Sequence, residues 1–492
     1  MQLDKLFLSA TTAFSIVALG ACQDHRDPNS PAITLQNQSV TPVLAKLLPS
    51  AAGARLMASG INLYALLSSD DKLGLSPNYV FGGSADGAGI FQNLDGTYSI
   101  LVNNEDNFSV SRITLDKSFK PIKGEYVLNS DGGTWRLCSA TLATPLEHGF
   151  GPLFLTCGES GQESRTHALR VDADPQQAAI SREVPALGRW SAENAVPLPK
   201  TAYPGKTAII IGDDDSDVNG GQVALYLTNT VGDLDNGSLY MLKRTNGNQI
   251  ETAMNVGTKY DVEFVKIDNQ KTLTGAQINA KVNELGAIKF GRVEDVDYRK
   301  GGGANGREVF FAVTGQNNTG VNADNSRSKY GRIYRLTLDA NDPTKGKLEV
   351  LLNGDDRTGP AKTFQDPDNI CVTTNYAYIM EDPNEYGDEK HDAYVYQYEL
   401  ATGKLTAILE LDHRRTEADA AKYNVGGTSK FGSWESSGMI DVSDITGRPN
   451  TFMLGIQAHT WRGDKYLGVD GGSVRKAENQ ASQLILIEGL PR

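Results

Sequence analysis

Short groups of acidic residues recur along this sequence, and most of them follow an apolar, alternating segment. A single acid in such a position is more often a solvated turn residue than a ligand. Their recurrence about once per hairpin favours a shared site, because converging strands bring their ends together. Carboxylate oxygens are the ligands of hard cations such as Ca²⁺, so the pattern predicts a metal site. The groups are Asn104 with Glu105, Cys157 with Glu159, Glu193, residues 213–215, Glu294 with Asp295, Asp368 with Asn369, Glu381 with Asp382, and Glu435.

Three of the four cysteines, Cys138, Cys157 and Cys371, lie far from the N-terminus. Among three cysteines at most one disulfide can form, so at least one thiol is free or bound to something. Two hypotheses stay open for Cys138: a disulfide with Cys157, which is typical of an exported protein, or a thiolate ligand of a metal. Cys371 is predicted to be a buried core thiol.

The N-terminal segment is interpreted as a lipoprotein signal peptide, residues 1–21. Lys5 precedes a mostly apolar stretch that is too short to span a bilayer. The sequence from Leu19 to Cys22, Leu-Gly-Ala-Cys, resembles a bacterial lipobox, in which Cys22 is lipidated. An ordinary signal peptide with an incidental cysteine is the alternative, and both imply export. Residues 22–70 are interpreted as the lipidated Cys22 and a tether, with a short helix at residues 51–67.

The composition excludes several classes of protein. The 492 residues include 47 Lys and Arg against 60 Asp and Glu, a formal net charge of −13, and this acidic balance argues against a nucleic-acid partner. With 39% hydrophobic and 22% charged residues, the chain is typical of a folded globular protein. Abundant glycine favours turns and strands over helix bundles, so the predicted fold class is all-β.

Repeating hairpins predict the architecture of residues 71–492. Five segments show an alternating strand, a turn rich in Gly, Asp or Asn, and a second alternating strand. Together with a closing strand at 484–487 they predict a six-bladed β-propeller with long inter-strand insertions. A two-sheet sandwich is the alternative, but the region is too long for one and contains no linker. The paired segments are 110–115 with 126–128, 167–171 with 183, 238–242 with 253–256, 331–338 with 348–352, and 393–398 with 405–411.

A series of motifs carries a family resemblance. Residues 133–145 (GTWRLCSATLATP), followed by 155–159 (LTCGE), resemble the Cys-containing, Thr-Pro and Cys-Glu-Glu signature of PhoX-type alkaline phosphatases. The matches run from about Gly82 to Gln457 and keep the family's order. The further segments are 186–195 (ALGRWSAENA), 211–214 (IGDD), 290–296 (FGRVEDV), 367–369 (PDN), 381–382 (ED), and 435–438 (ESSG) with Gln457 near the end.

The resemblance implies a six-bladed propeller that carries two Fe³⁺ and three Ca²⁺ ions on an oxo group and hydrolyses phosphomonoesters. A metal-bound oxide or hydroxide would attack the phosphorus, so no Ser or Cys nucleophile is needed. Arg292 would clamp the phosphate, and Cys138 and Glu294 would stand beside it in the catalytic centre. The implied iron ligands are Cys138, Glu193, Glu294 and Asp368, and the implied calcium ligands are Glu105, Glu159 and Glu435.

The sequence departs from the family pattern in places. One carboxylate is missing, which would weaken a calcium site. The chain also lacks the twin arginine of characterised members, so iron would have to be acquired after export. The departures are Asn104 for His, Gly158 for Glu, residues 146–148 for Trp-Gly-Thr, and Ala458 with His459 for His-Pro.

Two side-chain groups remain without an assigned role. The run 213–217, Asp-Asp-Asp-Ser-Asp, resembles a calcium-binding loop but is interpreted as lacking the regularly spaced acids, the mid-loop glycine and the closing glutamate of an EF-hand, so a solvated turn is the alternative. The six histidines show no metal spacing. Only His148 and His459, inside matched segments, are expected to face a central channel.

The leading hypothesis is an exported, Ca²⁺- and Fe³⁺-dependent phosphomonoesterase that scavenges phosphate from small organic esters. We expect a monomeric outer-membrane, cell-surface or periplasmic lipoprotein that contacts the membrane only through its lipid anchor. A calcium-stabilised propeller that acts as a binding or adhesion module is the first alternative. A hydrolase of other esters is the second, since fold does not fix function.

Overall fold

A computed structural model describes residues 32–54, 60–383, 386–427 and 429–492. Residues 1–21 and Cys22 lie outside this part of the chain. Its strands, in chain order, are β1 (Ala45–Leu47), β2 (Asn62–Ser68), β3 (Ala85–Gln92), β4 (Tyr98–Asn104), β5 (Ser109–Leu115), β6 (Pro121–Leu128), β7 (Arg136–Ala143), β8 (Leu153–Glu159), β9 (Thr166–Arg170), β10 (Ala192–Pro197), β11 (Thr207–Asp213), β12 (Gln222–Thr228), β13 (Ser238–Arg244), β14 (Lys259–Ile267), β15 (Val293–Tyr298), β16 (Glu308–Val313), β17 (Arg332–Leu338), β18 (Lys345–Asn353), β19 (Pro367–Val372), β20 (Tyr376–Glu381), β21 (Tyr394–Glu399), β22 (Lys404–Leu411), β23 (Glu435–Asp441), β24 (Thr451–Arg462) and β25 (Gln480–Glu488).

Helices are few and short in the described residues. They are α1 (Ser130–Gly133), α2 (Gly275–Leu285), α3 (Ala420–Tyr423) and α4 (Ser443–Thr446), with single turns of 3-10 helix between strands. The longest, α2, begins at a capping box, in which Thr274 and Gln277 satisfy each other's backbone donors. It ends at Gly286, whose φ of +75° is accessible to glycine at low cost. None of the helices described is long and apolar enough to cross a membrane.

The strands form five antiparallel sheets in a propeller-like arrangement, which confirms the all-β fold class. The sheet orders are β3-β4-β5-β6, β7-β8-β9, β10-β11-β12-β13-β14-β18-β17-β16-β15, β1-β22-β21-β20-β19 and β2-β25-β24-β23. We call β3, β7, β10, β15, β19 and β23 the inner strands. Each contacts the next, and β23 contacts β3, so they form a closed ring.

The apolar core lies between neighbouring sheets, as the period-2 alternation of the strands requires. Ile210 and Leu225 of one side of the nine-stranded sheet pack in the same cluster as Val296 and Phe311 of the other side. Trp434 is fully buried in a second cluster.

The chain closes the ring with a strand from its N-terminal part. β2 pairs with β25, so residues far apart in sequence share one sheet. This corrects the second half of the predicted helix at 51–67, because Asn62–Ser68 form a strand whose last four residues are buried. Residues 55–59 of that prediction lie outside the described residues. Residues assigned to a tether also pack on the propeller, since Ile33 and Leu44 are buried and β1 extends the sheet beyond β22.

Most of the predicted hairpins correspond to paired strands, such as β17 with β18 and β21 with β22. One partner was wrong. β13 pairs with β14 rather than with residues 253–256, which belong to a 3-10 turn and the loop after it. Val262, Phe264 and Ile267 of β14 are buried, which explains the preference for this longer segment.

Candidate metal centre

Each inner strand contains a β-bulge near one end of the ring. In each strand two consecutive residues stand opposite a single partner residue, so the local pairing is lost and the strand turns its side chains. The register shifts lie between Ala85 and Ala88, Leu137 and Ala140, Ala192 and Ala195, Val293 and Val296, Pro367 and Ile370, and Ser436 and Met439.

Each inner strand delivers one ligand-type side chain to a common cavity. In five strands this residue is the first of the two bulged residues, and in β23 it is the first residue of the strand. The side chains are Asp86, Cys138, Glu193, Glu294, Asp368 and Glu435.

Glycine makes this convergence possible at two positions. A Cβ on Gly87, the second bulged residue of β3, would lie 2.1 Å from the backbone nitrogen of Ala140 in β7. A Cβ on Gly438 of β23 would lie 2.8 Å from the backbone of Asp86. Neither distance leaves room for a side chain, so the inner strands approach this closely only because both residues are glycine.

A second set of polar side chains comes from the ends of the neighbouring strands. Glu105 follows β4, Glu159 ends β8, Asp214 follows β11, Asp382 follows β20, and His459 lies in β24. All except Asp214 line the same cavity as the inner-strand residues, and an Asp214 oxygen lies within 4.8 Å of oxygens from Glu159 and Glu294.

The cavity has a volume of about 90 Å³ and is lined almost entirely by charged side chains. Such a volume holds a few small ions or one phosphate-sized group rather than a large organic ligand. Two guanidinium groups, from Arg136 and Arg292, also face it.

The donor atoms are grouped closely enough to share cations. The Cys138 thiol lies within 4.8 Å of carboxylate oxygens of Asp86 and Glu193, and again of Glu105 and Glu159. Further groupings join Asp86, Glu105 and Glu435; Asp382, Glu435 and His459; and Glu159, Asp214 and Glu294. Oxygen-rich sets suit Ca²⁺, whereas the sets that include the thiol also suit a softer transition metal.

The pKa values of the carboxyl groups in the cavity wall indicate that compensating positive charge is missing. Burial and neighbouring carboxylates raise the pKa of Asp86, Glu193 and Asp368 well above the usual value. One oxygen of Asp368 is buried without a hydrogen-bond partner in the described part of the chain. Carboxylates are buried in this density only when cations neutralise them, so the residues fit a metal cluster.

Cys138 is a free thiol, as are Cys157 and Cys371. The disulfide hypothesis for Cys138 and Cys157 is therefore wrong in this structure. Cys157 lies instead in an apolar cluster, where its sulfur is 3.3 Å from the Thr166 hydroxyl. Burial, together with Glu105, Glu159 and other acids, raises the pKa of Cys138 well above that of a free thiol, so a bound cation is needed to hold it as thiolate.

Arg292 is fixed in the cavity wall by two carboxylates. Its Nε lies 2.5 Å from Asp214 Oδ1, and its Nη2 lies 2.7 Å from Glu294 Oε1. The residue has a φ of +70°, a strained conformation that sets it just before β15.

Arg136, which the sequence reasoning did not single out, lies among three acids. Its guanidinium nitrogens are 3.3 Å from Glu105 Oε1 and 3.3 Å from Asp106 Oδ1, and Glu159 Oε1 is 3.9 Å away. Its position two residues before Cys138 on β7 was the signal that could have revealed it, since alternate residues of a strand share a face.

The structure brings all seven predicted metal ligands and Arg292 into this cavity. Besides Arg136, the sequence reasoning also passed over Asp86 as a candidate. Asp86 is a single acid between Ala85 and Gly87.

Several acids from the predicted groups point elsewhere. Asp295 accepts from Asn194 Nδ2 at 2.6 Å and from the Ile370 backbone at 3.1 Å, and so links neighbouring inner strands. Glu381 accepts from the backbone of Gln365 and Tyr394. In each of the two adjacent pairs of acids, one residue lines the cavity. It is Glu294 of Glu294–Asp295, at the bulge of β15, and Asp382 of Glu381–Asp382, just after the end of β20.

The two histidines expected at the channel have different positions. His459 lines the cavity, with Nδ1 donating to Gln480 Oε1 at 2.7 Å. His148 instead lies in the wall of a separate cavity of about 710 Å³, where its Nδ1 accepts from the Thr144 backbone at 3.0 Å.

Two comparisons relate the chain to known proteins. Residues 147–433 match the family model described as alkaline phosphatase PhoX. The solved structure of Pseudomonas fluorescens PhoX in complex with vanadate, a transition state analogue, aligns with a TM-score of 0.60 at 14% identity, covering 95% of this chain and 98% of that chain. This likeness supports the propeller-like fold.

Two further solved structures align weakly. The PQQ-bound aldose sugar dehydrogenase of Streptomyces coelicolor gives a TM-score of 0.27 at 12% identity, covering 71% of this chain and 98% of that chain. The polysaccharide lyase Uly1 gives 0.32 at 8% identity, covering 95% and 98%. No curated protein matches the sequence.

Proposed function

The chain belongs to the alkaline phosphatase PhoX family and is a phosphatase, and from this premise we propose that it hydrolyses small phosphate monoesters in the cavity at the end of the inner strands. One observation carries the proposal. A buried thiol, a ring of carboxylates and two guanidinium groups converge on about 90 Å³ of space, although they come from strands spread over most of the chain.

We propose that the cavity binds Ca²⁺ and Fe³⁺. Cys138, Glu193, Glu294 and Asp368 would hold the iron, because a thiolate is a soft ligand that Ca²⁺ does not favour. The calcium ligands would be Glu105, Glu159 and Glu435, with Asp86, Asp382 and His459 as additional donors. When bound, these cations supply Lewis acidity that neutralises phosphoryl oxygens and lowers the pKa of bound water.

The side chains of this protein have their own tasks in the reaction. Arg292 would bind two phosphate oxygens through its planar fork, and its ion pairs with Asp214 and Glu294 hold the fork still before substrate arrives. Arg136 also lines the cavity, and 38% of its side chain is exposed. It can therefore contact the phosphate group as the substrate enters. The two guanidinium groups would stabilise the negative charge that grows on the phosphoryl group in the transition state.

The finer architecture and cell biology are also proposals. We count six blades by dividing the nine-stranded sheet at β14, so that β10 to β13 and β15 to β18 each form one blade. We propose a monomer, exported and anchored through lipid on Cys22, that scavenges phosphate in the cell envelope. Iron would be loaded after export.

The test is turnover of p-nitrophenyl phosphate by the full chain, with metal content measured on the same sample. We expect activity with calcium and iron present, and its loss in Cys138→Ala. Cys371→Ala is the matched control, because Cys371 is a buried thiol outside the cavity, and it should keep both activity and iron.

The contrary result is equally specific. Protein that carries calcium, lacks iron and shows no turnover, even when purified from its native envelope, would overturn the proposal. It would favour the calcium-stabilised binding module instead.

A further inference from the structure

The loop between β11 and β12 contains a second group of acidic oxygens, on the opposite side of β11 from the central cavity. Asp214 turns toward Arg292 in the cavity wall. Asp213, its neighbour, instead follows Ile209 and Ile211, whose side chains lie in the apolar cluster that also contains residues of α2. The two carboxylates therefore lie in separate environments.

Asp213 is buried without a partner. Its side chain is 1% exposed, and neither carboxylate oxygen has a hydrogen-bond donor in the described part of the chain. Moving a carboxylate from water into the protein interior without a compensating charge costs on the order of several kcal/mol. A bound cation would offset this cost.

Gln222 supplies a third unpartnered oxygen at the same place. It stands directly opposite Asp213 in the β11–β12 register, so the two side chains lie on one face of the sheet about 5 Å apart at Cβ. Its Nε2 donates to the carbonyl oxygens of Asn219 and Gly220. This fixes the amide orientation and leaves a buried Oε1 without a donor.

The loop adds further oxygens. Asp215 accepts from the Asp217 backbone through Oδ1 at 2.8 Å, and Asn279 of α2, which is buried, lies 3.4 Å from its Oδ2. Contrary to the interpretation from the sequence, Asp213, Asp215 and Asp217 do alternate along the chain, and this is the spacing at which calcium loops place their first ligands. Burial and the neighbouring Asp215 raise the pKa of Asp213 well above its usual value.

The cationic side chains near the loop do not satisfy Asp213. Arg327 donates to Gln316 Oε1 at 2.7 Å, and Lys289 Nζ donates to the Val218 carbonyl at 3.2 Å. The Gln222 backbone N–H is the one donor turned toward the Asp213 carboxylate in the described part of the chain, and neither of these two cationic side chains neutralises its charge.

We propose that Asp213, Asp215 and Gln222 Oε1 bind a structural Ca²⁺ ion, separate from the central cavity. Carboxylates combined with an amide oxygen are typical of Ca²⁺, which accepts six to eight oxygen ligands in irregular geometry. The ion also holds the loop that presents Asp214 to Arg292, and so it supports the cavity wall from outside.

The test is the number of calcium ions per chain, measured by mass spectrometry of metals on the full chain after gel filtration in low micromolar Ca²⁺. Asp215→Asn and Asp213→Asn should each hold one calcium fewer than the wild type, with the iron content unchanged. Asp324→Asn is the matched control, because it removes one exposed carboxylate from another loop, and it should keep the wild-type count.

Equal calcium counts in the wild type and Asp215→Asn would overturn the proposal and indicate that Asp213 is protonated. A calcium loss in Asp324→Asn equal to that in Asp215→Asn would overturn it as well. If Asp213→Asn does not fold, Asp215→Asn decides alone, since this residue is less buried. The readout needs no turnover, so it remains valid if the protein hydrolyses no phosphate ester.

Discussion

Arg292 Nη2 lies 2.7 Å from Oε1 of Glu294, two residues further along the chain, and the ion pair forms part of the cavity wall. A second carboxylate, Asp214, holds Nε at 2.5 Å. The guanidinium is therefore oriented on two sides before any substrate is present, which is the condition for electrostatic preorganisation.

We expect Arg292→Lys to lower kcat/KM for p-nitrophenyl phosphate by about 10²-fold to 10³-fold. Lysine keeps the positive charge but cannot bind two oxygens in a plane or hold both carboxylates. Arg299→Lys, at an ion pair with Glu308, is the control and should retain activity. An Arg292→Lys enzyme with wild-type kcat/KM would show that the fork has no role.

Chelation of divalent cations should lower activity at least about tenfold and lower the melting temperature by about 5 °C or more, because the buried carboxylates then repel one another. The measurement is turnover and thermal unfolding before and after EGTA treatment. Ca²⁺ should restore both, whereas Mg²⁺ should not, since Mg²⁺ requires a small octahedral site. Unchanged unfolding after complete calcium removal would contradict the expectation.

Gly87→Ala should destabilise the protein by about 2–3 kcal/mol, because the added methyl group overlaps the Ala140 backbone where two inner strands meet. Urea unfolding measures the change, and metal content should fall with it since Asp86 and Cys138 flank the contact. Gly74→Ala is the control. A Cβ there meets nothing within 4 Å, so its stability should match the wild type.

The buried His167 should make the protein sensitive to mild acid. Burial lowers the pKa of His167 to about 4, and its Nδ1 accepts a hydrogen bond from the Arg182 backbone. The imidazole is therefore neutral in the folded protein. The unfolded chain binds a proton near pH 6.5. The stabilisation is complete above that pH and is lost progressively as pH falls toward 4.

His167→Gln should therefore remove part of the pH dependence. Between pH 7.5 and 5.5 the wild type should lose about 1.4 kcal/mol more than the variant. Urea unfolding of both proteins at the two pH values measures this difference. A difference between wild type and variant that stays constant over this range would contradict the argument.

Much of the fold follows from local pattern. Alternating segments such as those at β17 and β18 predicted antiparallel hairpins, and their recurrence predicted a propeller. The partner of β13 and the strand β2 were not predicted. The pairing of β2 with β25 joins the two ends of the chain, and no local pattern specifies a contact at that separation.

The residue types at the site were also readable in the sequence. Carboxylates, a cysteine and an arginine within a run of family motifs predicted metal-assisted phosphate chemistry, and whether that cysteine forms a disulfide was left open. Asp86 and Arg136 were not predicted, and Arg136 lies between the apolar residues Trp135 and Leu137. The place of Asp86 and Arg136 in the cavity wall depends on the position of β3 and β7 in the ring of inner strands, which the local sequence does not specify.

The sequence by itself determined the strands, the turns and the kinds of ligand available. Only the tertiary structure decided which ligands meet. In Glu294 and Asp295, two adjacent acids, a bulge sends the first into the cavity and the second to Asn194. Adjacent residues in an extended strand point to opposite faces, and which face borders the cavity is set by the closure of the ring, which depends on contacts between all the sheets.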